Sequence, residues 1–291
     1  MSPQKFGGPW TEQKLAAVEA YLKAYLKIFT ANPIASQLTR HYVDAFAGSG
    51  WRQWAEDEPQ LWTDEEGDAL RFAEGSVRKV LGLKEAFHRY WLVEKNSKHA
   101  ADLEAMIGND FPARAANCTV VCRDANDFLL DWLARLGAKD RVVIFLDPYG
   151  MAVRWTTLEK LARSRKVDLW MLFPSASVLR MLPHAGPPSE AWSRRLTELF
   201  GTEDWRDEFY PKDVIMDLFD SIEQTQRKVD SSSVADFMLR RLGEVFAGVA
   251  PKALVLYNSR RSPLFHLVFA AANPKGAKPA IRIASHIIGT S

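Results

Sequence analysis

The chain has 291 residues, 47% of them hydrophobic and 25% charged, and a formal net charge of +2. Such proportions belong to an ordinary folded protein and exclude a disordered or low-complexity chain. The charge is too mild to announce a nucleic-acid binder, although basic residues gather in the second half, Arg194, Arg195, Arg260 and Arg261 among them. Cys118 and Cys122 without neighbouring histidines fall short of a zinc set, so no metal is expected. No apolar run is long enough for a membrane span, and Met1–Lys5 lacks the apolar core of a signal peptide. The cytoplasm is the expected compartment.

In chain order, a polar lead-in gives way to a helix from Thr11 to about Phe29. Leu15, Val18, Leu22, Tyr25, Leu26 and Phe29 form its apolar stripe, with Lys14, Lys23 and Lys27 assigned to the wet side. Thr39 to Asp44 then reads as a strand buried on both faces, running into Ala45-Phe46-Ala47-Gly48-Ser49-Gly50. The glycines there permit positive φ and close approach of a ligand to backbone. An acidic stretch with Trp51, Trp54 and Trp62 follows, read as a solvated loop. Residues 68–86 read as helix interrupted at Glu74-Gly75-Ser76.

Further strands are expected at His88–Glu94, Thr119–Cys122, Arg141–Asp147 and Val167–Phe173, with helices between them, Phe128–Leu136 and Trp155–Ala162 included. Alternation of strand and helix implies right-handed crossovers and a parallel sheet. From about Pro183 to Ala250 the pattern turns helical and charged, as in a cap over one edge of the sheet. Two runs, 253–257 and 264–270, then read as a closing hairpin. The resulting division is an N-terminal helical region (1–38), an α/β core (39–182), a helical insertion (183–250) and a hairpin that completes the sheet (251–291).

Successive strands end in acids: Asp44, Glu94, Asp124 and Asp147. On a parallel sheet all four lie at the carboxyl edge, where ligands bind. An acid after the second strand suits ribose hydroxyls, and Asp124 is placed for an adenine amino group. Asp44 can neutralise a cationic amino-acid moiety. The loop lacks the third glycine of the dinucleotide fingerprint. S-adenosylmethionine, cationic and free of phosphate, meets these demands. Asp147-Pro148-Tyr149-Gly150 is the catalytic candidate, since an acid and a proline carbonyl can hold a target amine while an aromatic ring stacks on a base. His184 is a lesser candidate as base; Ser49 lacks a hydrolase setting.

These motifs resemble those of class I S-adenosylmethionine-dependent methyltransferases. More narrowly, the chain resembles the bacterial three-Cys-motif partner protein family. The resemblance rests on Tyr21-Leu22, Tyr42 through Gly50, Glu74-Gly75-Ser76, Phe145 through Met151, Trp155, and Asp168 through Pro174 with Arg180. It implies a Rossmann-like class I methyltransferase fold, with a mostly parallel seven-stranded sheet, an antiparallel C-terminal hairpin and a helical insertion. It also implies cofactor contacts from Asp44, Phe46, Ala47, Gly48, Ser49, Gly50, Glu94, Lys95, Asp124, Ala125 and Asp147, and catalysis by Asp147, Pro148 and Tyr149. Asp-Pro-Tyr-Gly departs from the Asp-Pro-Pro-Tyr of nucleic-acid amino-methyltransferases and is similar to the Asp-Pro-Phe-Gly of tRNA guanine dimethyltransferases. The expected activity is methylation of a base amino group, with Arg180 and the arginine pairs on phosphates. The alternatives are a non-catalytic, cofactor-binding partner of a three-Cys-motif protein and a dinucleotide oxidoreductase, which the glycine pattern disfavours.

Overall fold

The computed structural model describes residues 9–48, 75–148, 150–216, 221–225, 227–258 and 260–290. Its central sheet is built from β1 (Thr39–Asp44), β2 (Arg89–Val93), β3 (Cys118–Val121), β4 (Asp140–Leu146) and β5 (Val167–Phe173), all parallel, with β10 (Pro263–Ala271) antiparallel beside β5. The spatial order is β3-β2-β1-β4-β5-β10. The last position is shared by β8 (Gly248–Val249) and β9 (Leu254–Tyr257), which pair end to end along the outer edge of β10. Seven positions with a reversed strand in the sixth make this the Rossmann-like methyltransferase arrangement.

Strand alternation divides the core. Tyr42, Val143, Phe145, Trp170 and Leu172 face one side. There they meet α1 (Pro9–Ala31), α2 (residues 75–81), α3 (Ser97–Asp110) and α11 (Pro274–Thr290). Val43, Ile144, Leu146, Met171 and Val268 face the other side. Against them pack α5 (Ala125–Leu133), α6 (Trp155–Arg163), α7 (Ser175–Arg180), α8 (Glu190–Phe200), α9 (Trp205–Phe209) and α10 (Ser231–Val245). The second half of β1 and most of β4 are buried on both faces, which is why β4 reads as a nearly unbroken apolar run.

The direction of α1 matters for the site. Phe29 meets the Arg40 guanidinium near the start of β1, and Tyr21 donates to Asp168 near the start of β5 at 2.7 Å. The helix therefore runs against the strands and brings its first turns to their carboxyl ends. Leu15, Val18 and Leu22 seat it, each buried leucine or valine contributing roughly 2 kcal/mol.

Two expectations need correction. Lys14 is not on the wet side; it is fully buried. It precedes Tyr21 by seven residues, two helical turns, and so shares the buried face, whereas Lys23 lies nine residues on, half a rotation away. Gly75-Ser76 opens the described part of α2, and residues 68–74 of the expected interrupted helix lie outside the described residues. The 183–250 stretch is not wholly helical: β6 (Lys212–Met216) and β7 (Ser221–Thr225) form an antiparallel hairpin there, in keeping with the β-branched Val214, Ile215 and Ile222. Beyond the closing hairpin, Ala277, Ala280, Ala284 and Ile287–Ile288 recur at helical spacing and form the buried stripe of α11. Among the described residues no helix is long and apolar enough to cross a membrane.

Candidate active site at the carboxyl edge

At the end of β1, Asp44 points to the α1 side and is wholly buried. It accepts hydrogen bonds from Ser76 Oγ at 2.8 Å and from the Phe46 amide at 3.3 Å. Burial pushes its carboxyl up to about 7, with the nearby Asp147 acting in the same direction. Asp147, one residue past β4, is buried on the same side. Lys14 Nζ donates to both of its oxygens, at 3.4 and 3.3 Å. Burial raises this carboxyl as well, and the Lys14 charge partly offsets the rise. Burial lowers Lys14 to about 8, against the pull of Asp147 and Asp44. Among the described residues two carboxylates and one ammonium are thus buried together beneath α1.

Glu94, just past β2, is differently placed. Its Oε2 accepts from the Gly48 amide at 3.0 Å and its Oε1 from the Asn96 amide at 2.7 Å. The first bond ties the end of β2 to the turn after β1, where Gly48 takes φ +67°. A carboxylate offers about four lone-pair sites, so Glu94 keeps acceptor capacity beyond these two bonds. Asp124 is the N-cap of α5: its Oδ1 accepts from the Asn126 amide at 3.0 Å and the Asp127 amide at 3.4 Å. Burial alone would raise this carboxyl, but those amides and the Asn126 side chain bring it below its ordinary value. Lys95 stands 3.7 Å from the other oxygen, and Ala125 is buried in the first turn.

The four acids, with Phe46, Ala47, Gly48, Lys95, Ala125 and Pro148, are thus found along one edge, in two settings. Ser49, Gly50, Trp51, Trp54, Trp62, Glu74 and Tyr149 lie outside the described residues. His184 is exposed and held by Arg227 Nη2, at 3.0 Å from its Nε2. Arg180, Arg260 and Arg261 are exposed. Topology brings them to the same edge: Arg180 ends the helix after β5, and the other two lie in the turn between β9 and the start of β10.

Sequence reading missed three residues. Lys14 is one. Ser76 is the second, aimed at Asp44 from α2. The third is Asn126, whose side chain donates to the Ala152 carbonyl at 2.8 Å and accepts from the Arg154 amide and Thr157 Oγ1 at 3.0 and 2.9 Å. It holds the loop that follows Asp147 to the first turn of α6. Its only signal was its place in the capping sequence Asp124-Ala125-Asn126-Asp127. Beside that loop opens a groove of about 520 Å³, lined by Arg154, Trp155, Arg194, Glu198 and Arg206 among others. Among the described residues no three potential ligands gather as a metal site.

No protein-family model matches the chain, and no curated protein matches it. Solved structures do. A Legionella pneumophila protein, LPL1258, is 12% identical, with 94% of this chain and 90% of that one covered, at a TM-score of 0.42. The glycopeptide N-methyltransferase MtfA, in complex with S-adenosylmethionine, is 11% identical over 93% of this chain and 98% of its own, at 0.40. Trm1 from Pyrococcus horikoshii, also with S-adenosylmethionine, is 12% identical over 96% and 81%, at 0.36. The fold assignment stands on the strand order itself, and any function rests on the residues of the edge.

Proposed function

We propose that this chain is an S-adenosylmethionine-dependent methyltransferase acting on an amino group, that of a nucleic-acid base. One observation carries the cofactor assignment: Glu94, at the end of β2, grips the Gly48 turn at the end of β1 and still has lone pairs to offer. Most polar groups the cofactor would present there are donors or cations, two ribose hydroxyls, an ammonium, a sulfonium and an adenine amine, and its one carboxylate calls for amide donors instead. The edge supplies acceptors in kind. A pyrophosphate in the same place would face four carboxylates, which counts against a dinucleotide.

In this reading Glu94 takes the ribose hydroxyls, and Asp124, with Lys95 and Ala125 beside it, receives the adenine end. Asp44 faces the cationic amino-acid part, and the Phe46–Gly48 backbone makes the floor. When bound, S-adenosylmethionine supplies an electrophilic methyl group. Asp147 and the Pro148 carbonyl accept the N–H bonds of the acceptor, which turns the nitrogen lone pair away from them and toward the methyl. The Lys14 contacts at 3.3 and 3.4 Å are longer than the roughly 2.7–2.9 Å of a tight charge-assisted bond, so Asp147 retains capacity for a second donor. Most of the rate gain from such a device is positioning. Exposed Arg180, Arg260 and Arg261 at the same edge suit a polyanionic acceptor.

Transfer of tritiated methyl from S-adenosylmethionine to RNA, DNA and protein tests the proposal. The expected result is labelling of a nucleic acid, lost in Asp147→Asn and weakened steeply by salt. Labelling of protein alone would overturn the acceptor class. Equal transfer by Asp147→Asn would remove Asp147 from its role.

A further inference from the structure

We propose that Lys14 is a positioning residue for the acceptor end of the site: its pairing with Asp147 keeps that carboxylate ionised, and so makes the competence of Asp147 depend on the seating of α1. The role of Asp147 toward an acceptor rests on the reading above; the pairing and its electrostatic consequence do not.

Lys14 is fully buried on a helix face whose flanking positions, Ala17 and Val18, are buried and apolar. A hydrophobic side chain would seat α1 at least as well, because desolvating an ion pair commonly costs as much as the pair returns. The charge therefore serves something other than packing. Among the described residues the Lys14 hydrogen bonds go to Asp147, whereas Asp44 receives neutral donors, Ser76 Oγ and the Phe46 amide. Among the described residues the titratable groups facing Asp147 are Lys14 from α1 and Asp44 and the buried Tyr42 hydroxyl from β1, while Ser76 from α2 bonds Asp44. Within that set Lys14 is the cation, and without it Asp147 would sit beside Asp44 in a buried site that favours protonation. A protonated Asp147 offers one acceptor oxygen and one donor, and a donor there opposes an incoming amine N–H. Burial lowers Lys14 to about 8 and raises Asp147, so the two titrations approach each other and are coupled through the pair.

The test is carbon NMR of the side-chain carboxyl groups in protein labelled at aspartate, titrated from pH 4 to 10 without cofactor. In the wild type, Asp147 is expected to show a second inflection near pH 8, where Lys14 loses its proton. In Lys14→Gln its main titration should move up by at least one unit, a tenfold change in proton affinity, and in Lys14→Arg it should return to the wild-type position. Affinity for S-adenosylhomocysteine should change less than threefold in Lys14→Arg. The acid limb of methyl transfer should move up in Lys14→Gln together with the carboxyl resonance. An Asp147 resonance without inflection near pH 8 in the wild type overturns the proposal even if Lys14→Gln fails to fold. An unmoved titration in a folded Lys14→Gln overturns it as well. Because the NMR arm contains no cofactor, a protein that binds no S-adenosylhomocysteine would sink the methyltransferase reading and leave this one standing.

Discussion

The two ends of the acid edge present the same sequence pattern and opposite physics. At the β2 and β3 end, Glu94 and Asp124 remain partly exposed and take backbone amides as donors, and those bonds bring the Asp124 carboxyl below its ordinary value. At the β1 and β4 end, Asp44 and Asp147 are shut under α1 and α2 with one ammonium between them. The first arrangement stabilises the fold and leaves lone pairs to spare. The second destabilises it, and such perturbed groups collect where chemistry is done. A strand ending in an acid therefore says where a site is, while the layer above that strand decides what the acid can do.

The comparison can be broken most forcefully at Lys14. Replacing it with Met leaves buried carboxylates without their cation and is expected to cost about 4 kcal/mol in urea unfolding at pH 8. Lys14→Met combined with Asp147→Leu should recover most of that loss. A double variant as unstable as the single one would show that the pair is not the source.

Asp44→Asn should act in the other direction. A carboxyl raised to about 7 from 3.8 favours the folded state fully below pH 3.8 and loses that contribution as pH rises through 7. Removing the charge should therefore stabilise the protein by on the order of 2 kcal/mol at pH 8 and by nothing at pH 3.5. Cofactor binding should suffer in the same variant, a trade of function against stability. Denaturation midpoints at the two pH values check the sign.

At the β2 and β3 end the effects are smaller and ordinary. Asp124→Ala removes the α5 cap and should cost about 1 kcal/mol at neutral pH. Because the Asp124 carboxyl lies below its ordinary value when folded, its contribution is present above the unfolded value and disappears as pH falls through the folded one. Lys95→Ala, removing a largely exposed ammonium 3.7 Å from Asp124, should change stability by no more than about 0.5 kcal/mol. A larger loss would mean that this end too is under electrostatic strain.

Much of this was legible in the sequence, for definite reasons. β4 is an apolar run closed by an acid, because the middle of a sheet covered on both faces has little room for charge before its edge. Glu94 and Asp147 could be placed at that edge from order alone. What stayed illegible depends on packing between distant segments. Lys14 carried a helical-face signal in its spacing to Tyr21, but a lysine by type argues for solvent, and only its meeting with Asp147, 133 residues away, makes it interior. Ser76 read only as part of a break in a helical pattern, which gave no sign of its bond to Asp44. The β6–β7 hairpin was hidden by the charged composition around it.

The most direct test of the account is calorimetric titration of the chain with S-adenosylhomocysteine at pH 8, beside Asp44→Asn and Glu94→Ala. The account predicts one site in the wild type and at least a tenfold loss of affinity in each variant, with Asp44→Asn more stable than the wild type in the same buffer. Undiminished binding in both variants, or none in the wild type, would contradict it.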